Sequence, residues 1–487
     1  MKKIILSLVV LSFVGIGCNN NTDDFNNNAD APYDVPAETL LTNAEKKLMD
    51  QMTTPEVNSS PFRFFTQYWA QTTYNDESRY RLVSREVPNN HWNSLYRDVL
   101  GNLNAAKEII NLETLPTGAS NAVWQAQQQN KLAIIEILNV YTFQIIVDTF
   151  GDVPYSESLN ANIKLPKYDD DASIYPDLIT RLNAAVALLD DSTSSFATGE
   201  YLFGGDIQKW KIFGNSLKLK LGINLADVNP TLAKSTVESA FNSGVILTNS
   251  ENASFDYPGS APNYNPIYDQ LVASNRNDFV ASITLVNVMN GLDDPRRAAY
   301  FSTVGGIYVG GIYGAANNNF SSFSQIGSVF RQPNFKGQLM EATEMNFYLA
   351  EAAARGYTVG NSEEYYYNQA ISASFEFWGL ASQASSYLSN PSVAYSTAAG
   401  DWKEKIGTQA WLAFYNRPFE GWTSYRRLDF PVLVAPSNAS PSADGVVPKR
   451  LFYSINERTV NTTNYENAVE AIGGLDRMSV KVFWDVN

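Results

Sequence analysis

From Ala122 to Thr149 the chain has the spacing of one long helix, and its second half, ending in LNVYTFQIIVDT, is apolar nearly all round. A helix without a polar face cannot lie on a surface, so other elements must wrap it at the centre of a helical body. Glu136, Asn139 and Gln144 interrupt the most apolar stretch, Leu132 to Val147, which argues against a membrane span. Gly151 and Pro154 end it: the glycine eases a left-handed cap and the proline excludes further helical bonding.

The wrapping elements are readable from three- and four-residue apolar steps. Ala37 to Asp50, Asn90 to Ile110, Ile174 to Leu189, Trp210 to Leu225 and Thr231 to Phe241 are expected helices, as are Glu341 to Arg355, Ser362 to Trp378 and Trp402 to Phe414. Phe62 to Trp69, Phe279 to Leu292 and a short stretch around Tyr465 to Ile472 are read the same way. His91, beside Trp92 at the start of a helix, is assigned a surface or capping role. Two or three pairs of consecutive helices allow a solenoid-like stack, although no 34-residue consensus repeat stands in the chain. Between the helices the text turns to Asn, Ser, Pro, Gly and Tyr. The expected organisation is a signal peptide over 1–17, a tether over 18–35, and one composite domain over 36–487 with loop-rich insertions mainly in 243–335 and 380–487.

The first residues are an address. Lys2 and Lys3 precede the apolar run Ile4 to Ile16, and Gly15-Ile16-Gly17-Cys18 follows with small residues before the only cysteine of the chain. Cleavage there would leave Cys18 at the new N-terminus as a lipid attachment point. Acyl chains supply about 0.8 kcal/mol per buried CH₂, so no spanning helix is required. Asn19 to Asp34 is nearly all Asn, Asp and Thr and cannot bury apolar surface. Asn19 and Asn20 follow the cysteine without an aspartate, which points to the outer membrane. The expected location is the outer membrane, lipid-anchored and facing the cell surface.

The chemistry available is narrow. One His and one Cys in 487 residues exclude an internal disulfide and a zinc site of several His or Cys ligands. A net charge of −15, or −17 once the two N-terminal lysines leave, with no basic block, excludes a nucleic-acid backbone as partner. The glycine run at 305–314 lacks the lysine and hydroxyl of a P-loop and reads as a short hairpin or surface loop. Paired carboxylates remain as a catalytic option, in Asp148 with Asp152 and Asp293 with Asp294, but capping and turn roles account for them more simply. The chain is therefore read as a non-enzyme that requires no cofactor. Structural calcium, held by carboxylates and backbone carbonyls, stays compatible with the donor set, although no calcium-loop pattern marks it.

Aromatic residues in polar text carry more information, because a Tyr or Trp ring has a flat apolar face and a polar edge that match a sugar ring. Tyr68, Trp69 and Tyr74 lie in YWAQTTYND, Tyr257 and Tyr264 in the proline-rich loop, and Tyr308 and Tyr313 in the glycine run. Trp69, Gln71, Tyr74, Tyr264, Tyr308 and Tyr313 are the candidate ligand contacts. A turn at Gln71-Thr72-Thr73 would bring Trp69 and Tyr74 to one groove; alternatively Trp69 completes the core beside Phe62.

Several segments, in order along the chain, resemble one family. They are the lipobox with Cys18, YWAQTTY at Tyr68 to Tyr74, NNHWNSLYRDVLGNLNAAKEI from Asn89, and YTFQIIVDTFGDVPYSES from Tyr141. GGDIQKWKIFGNSLKLKL from Gly204, DDPRRAAYF from Asp293, MNFYLAEAAARG from Met345 and the terminal region from Arg450 to Asp485 follow. Together they resemble SusD/RagB-like outer-membrane nutrient-binding lipoproteins of the Bacteroidetes, in the SusD-like branch. The resemblance implies a mostly α-helical fold with four tetratricopeptide-like helical hairpins under a loop-rich ligand-binding subdomain. It also implies a binding protein that caps a TonB-dependent β-barrel transporter and hands it oligosaccharides. A peptide-binding lid of the same fold is the alternative, and a surface glycoside hydrolase a more distant one.

Overall fold

The computed structural model describes residues 35–486. The signal peptide, Cys18 and nearly all of the tether, expected over 1–17 and 18–35, lie outside the described residues. From Ala37 onward the chain forms one compact unit, 54% helical with little sheet.

The long central helix is Asn121–Phe150, and its second half is buried on all sides, from Ala133 to Phe150 with few breaks. Among the described residues it is the one helix long and apolar enough to cross a membrane, but 89% of that window is buried inside the protein. Four helix pairs build the body: Ala37–Thr53 with Gly101–Leu112, Asn121–Phe150 with Asp171–Leu188, Ile207–Asn224 with Pro230–Ser243, and Ala342–Ala354 with Glu363–Phe377. Successive pairs touch, which is the stacked-hairpin arrangement of a repeat-like solenoid. Local chemistry starts these helices where it should. Asp206 accepts from the backbone N–H groups of Gln208 and Lys209, and Asn229 accepts from Leu232 with Pro230 in the first turn.

Buried charge ties the stack together. Lys220 lies 2.6 Å from Glu420 and 3.4 Å from Glu344, and Arg417 joins the same two carboxylates. Removing one member would leave an uncompensated buried charge, so the cluster fixes which helices meet.

Several local expectations are corrected. The helix expected over Phe62 to Trp69 stops at Phe65, Gln67 takes a positive φ of 55°, and Trp69–Gln71 is a strand. Its partner is Phe279–Ala281, antiparallel, with Trp69 opposite Ala281 and Gln71 opposite Phe279. That pairing also shortens the second expected helix to Ile283–Gly291, capped by Ser282. Gly151 does take a positive φ, 79°, but with ψ of −124°, which is a glycine-only region rather than the left-handed cap. His91 is neither a surface nor a capping residue. It is fully buried, accepts from Gln51 Nε2 on Nδ1 at 2.8 Å, and burial lowers its pKa to about 3.

Candidate functional site

The Trp69–Gln71/Phe279–Ala281 ribbon is extended by the glycine run. Gly311 N–H donates to Ala281 O at 2.7 Å and Ile283 N–H donates to Gly311 O at 2.9 Å. Gly310 lies so close that a Cβ there would stand 2.3 Å from the Ile283 Cα, which explains why glycine occupies this place. The run is thus a structural member of the sheet edge, with Ile307 and Ile312 left exposed. Asn318 staples the two pieces, donating from Nδ2 to Gln71 O at 2.9 Å and to Ile312 O at 3.0 Å.

At the end of this ribbon the chain turns, and Gln71 shapes the turn from inside. Its amide donates to Tyr74 O and to Glu77 Oε2, both at 2.8 Å, and accepts from Ser78 N–H at 3.0 Å. Gln71 is 2% exposed, so it positions the turn and does not reach outward. Tyr74, held at a φ of 50°, stands 64% exposed at the tip. Two guanidinium groups flank its ring: Arg85 at 5.7 Å and Arg276 at 5.5 Å from the centroid. Both are anchored. Arg85 pairs at 2.7 Å with Glu77, whose pKa burial raises, and Arg276 pairs at 2.6 Å with Asp278. Thr73 Oγ1 donates to Asp278 Oδ1 at 3.3 Å, so the turn and the second strand share one network. The outcome is a largely exposed ring with two guanidiniums over it, each balanced by its own carboxylate. Such a surface can stack on an apolar ring face and bond to hydroxyls around it.

The other candidates divide. Trp69 is fully buried: its Nε1–H donates to Tyr415 Oη at 2.8 Å and the Arg63 guanidinium lies 4.7 Å from its ring. It belongs to the core, the alternative left open by the sequence, because the strand pairing turns its ring inward against Phe279 at 5.2 Å. Tyr68 and Tyr257, also in polar text, are buried too. Tyr313 is half-buried and donates its hydroxyl to Phe64 O at 2.5 Å. Tyr308, half-buried, has Arg297 5.4 Å from its ring. Tyr264 stands just before the short Pro266–Tyr268 helix, edge-on to Tyr268 at 5.2 Å, donating its hydroxyl to Asp269 Oδ1 at 3.2 Å. Tyr74 is the one of the six that presents a mostly exposed ring. Arg85 and Arg276 were missed by sequence reading: Arg276 reaches the turn only through a strand pairing that no local pattern announces.

One member of each carboxylate pair is buried in structural bonds. Asp148 is fully buried, accepting from Tyr175 Oη at 2.5 Å and Trp484 Nε1 at 2.8 Å, while Asp294 is fully buried in the fork of Arg296. Among the described residues, Asp152, Asp170 and Asp171 come within 4.8 Å of one another, an oxygen cluster of the kind that suits a hard cation. Burial, with Asp152 beside it, pushes Asp171 up to about 7. Arg450 and Lys481 line the same cleft and supply positive charge of their own.

No curated protein matches the chain. Among solved structures it is similar to a chitin-binding SusD homolog from Flavobacterium johnsoniae, at 27% identity and a TM-score of 0.77, covering 92% of this chain and 99% of that one. A SusD homolog from Bacteroides uniformis is also 27% identical, with a TM-score of 0.75 and the same coverage. A third, from Bacteroides thetaiotaomicron, shares the fold at 22% identity and a TM-score of 0.76, covering 93% of this chain and 100% of that one. The SusD-like family described as "Starch-binding associating with outer membrane" matches residues 27–454, and with nearly the whole chain so covered, the protein belongs to the SusD-like family.

Proposed function

We propose that this protein is a lipid-anchored cell-surface protein that binds a neutral oligosaccharide at the Tyr74 turn, without cleaving it, and delivers it to a TonB-dependent β-barrel transporter. The observation that carries the reading is the Tyr74 ring, 64% exposed and flanked by two anchored guanidiniums. A tyrosine ring left mostly in solvent at a positive φ is not held there by the core, and its surroundings offer the hydrogen bonds a sugar rim needs. Local charge balance, with Arg85 on Glu77 and Arg276 on Asp278, favours a neutral glycan. Membership of a starch-binding family and likeness to a chitin-binding homolog support the substrate class. Cys18 behind its basic and apolar leader supports the anchor.

Calorimetric titration of the full chain against starch- and chitin-derived oligosaccharides tests the reading, with short peptides as the competing class. Tyr74→Ala is expected to weaken saccharide binding more than tenfold, or about 1.4 kcal/mol, with the melting temperature unchanged. Peptide binding with no saccharide binding by the parent would replace the oligosaccharide by a peptide as cargo. Delivery is tested by co-purification with a β-barrel from outer membranes, and a protein that leaves those membranes alone would refute it.

A further inference from the structure

We propose that the helical half carries a second binding site, for a single neutral polyhydroxylated unit, in the cleft that the loop around Leu159 forms over the central helix. No residue of the Tyr74 turn takes part. After the central helix ends, residues of Tyr155 to Asn162 line, with residues of Gly101–Leu112, Asn121–Phe150 and Asp171–Leu188, an open cleft of about 500 Å³. That size lies within the usual range for small-molecule sites.

The floor of the cleft is the reason to expect a ligand. Asn139 is 6% exposed, sits on the mostly buried half of the central helix, and its Oδ1 has no hydrogen-bond partner. A buried acceptor left unpaired costs about 1–3 kcal/mol, where a leucine would cost nothing of the kind. A donor brought by a ligand removes that cost. The wall is rigid: Phe143 and Tyr155 meet edge to face at 4.9 Å, and Arg181 lies 5.7 Å and 5.4 Å from their ring centroids. Arg181 is in turn fixed by Glu136 at 2.6 Å and Tyr155 Oη at 2.7 Å. The rim is strained: Leu159, a non-glycine residue, holds a φ of 61° and is 38% exposed. A bulky residue in that region needs support from its surroundings, and such outliers gather at binding sites.

The lining selects the chemistry. Lys107 and Arg181 are balanced by Glu108 and Glu136, so neither an anion nor a cation is favoured. Asn104, Asn139, Asn160 and Asn162 offer both donors and acceptors, which match hydroxyls that are donor and acceptor at once. A monosaccharide unit meets all of these conditions.

Saturation-transfer NMR on the full chain tests the site, with glucose, galactose and N-acetylglucosamine as probes and glucuronate as the charged comparison. The background is Tyr74→Ala, so that the turn contributes nothing. Ala161→Trp fills the cleft from an exposed loop position, and Asn139→Leu removes the orphaned acceptor. Saturation of at least one neutral sugar is expected in the background, weakened at least tenfold by either change, with glucuronate receiving less. Transfer that is indifferent to Ala161→Trp would overturn the site. So would absence of transfer to every neutral sugar in the background protein, whatever the melting temperature of Asn139→Leu. If instead the Tyr74 reading fails, Tyr74→Ala has no effect while the cleft variants still lose binding, so the two failures are distinct.

Discussion

Replacing Trp69 by alanine separates packing from recognition in the segment that carries Tyr74. The ring is fully buried, donates to Tyr415 Oη at 2.8 Å, packs on Phe279 and lies 4.7 Å from Arg63. Truncating a buried Trp costs about 3–5 kcal/mol through lost transfer energy and the cavity left behind. Tyr415 Oη would lose its donor and keep only a marginal contact of its own at 3.5 Å to Tyr300 O, adding about 1–2 kcal/mol. Arg63, whose pKa burial lowers to about 10, would lose the ring beside its guanidinium. The sum is about 4–7 kcal/mol. For a cooperative unit of roughly 450 residues the unfolding entropy is about 1 kcal/mol/K, so the melting temperature should fall by about 4–7 °C. Trp69→Phe keeps most of the volume and should cost about 1–3 kcal/mol. Differential scanning calorimetry gives the shift, and saccharide titration on the same samples gives affinity. A Trp69→Ala protein that melts with the parent but has lost its saccharide would refute the reasoning, because the ring would then have to leave the core to meet ligand.

Gly151→Val forces a Cβ and a branched side chain onto a φ of 79° and ψ of −124°; although nothing stands closer than 3.4 Å, the backbone strain alone should cost about 1–3 kcal/mol in urea unfolding, and parent-like stability would contradict it. Glu45 is fully buried against Glu200, and burial first, then the neighbouring carboxylate, raises its pKa well above 4.5. Its contribution to stability is therefore full below the ordinary carboxylate range and lost as pH climbs through the raised value, so Glu45→Gln should gain on the parent as pH rises from about 4.5; a difference independent of pH would argue against the assignment. Cys18→Ser should release the protein from outer-membrane fractions or leave its leader attached, and mass spectrometry finding an unmodified terminus elsewhere would end the lipid assignment.

Helices whose burial comes from their own periodicity were legible in the sequence. The central helix, the Asp171–Leu188 and Ile207–Asn224 helices and the Ala342–Ala354 and Glu363–Phe377 pair all fall close to where three- and four-residue apolar steps place them, because such a stripe must be covered wherever it lies. The family was legible too, since its segments recur in order along the chain. What failed was everything that depends on a distant partner. Trp69 reads either as a ligand contact or as core until Phe279–Ala281 pairs with its strand and turns the ring inward. His91 looks exposed until Gln51 and Phe62 close over it.

Sequence alone therefore determined a helical stack around Asn121–Phe150 and a chain with a single histidine and a single cysteine. Tertiary structure decided which of the candidate aromatics is offered to solvent. Gln71, drawn inward to Tyr74 O and Glu77, pushes Tyr74 out, and the antiparallel pairing carries Arg276 and Asp278 from far along the chain to its side. Local periodicity records which side of an element is apolar, but a ring in a polar turn has no period to record. Whether it becomes core or site is set by the strand that happens to lie against it, and that strand is written two hundred or so residues away.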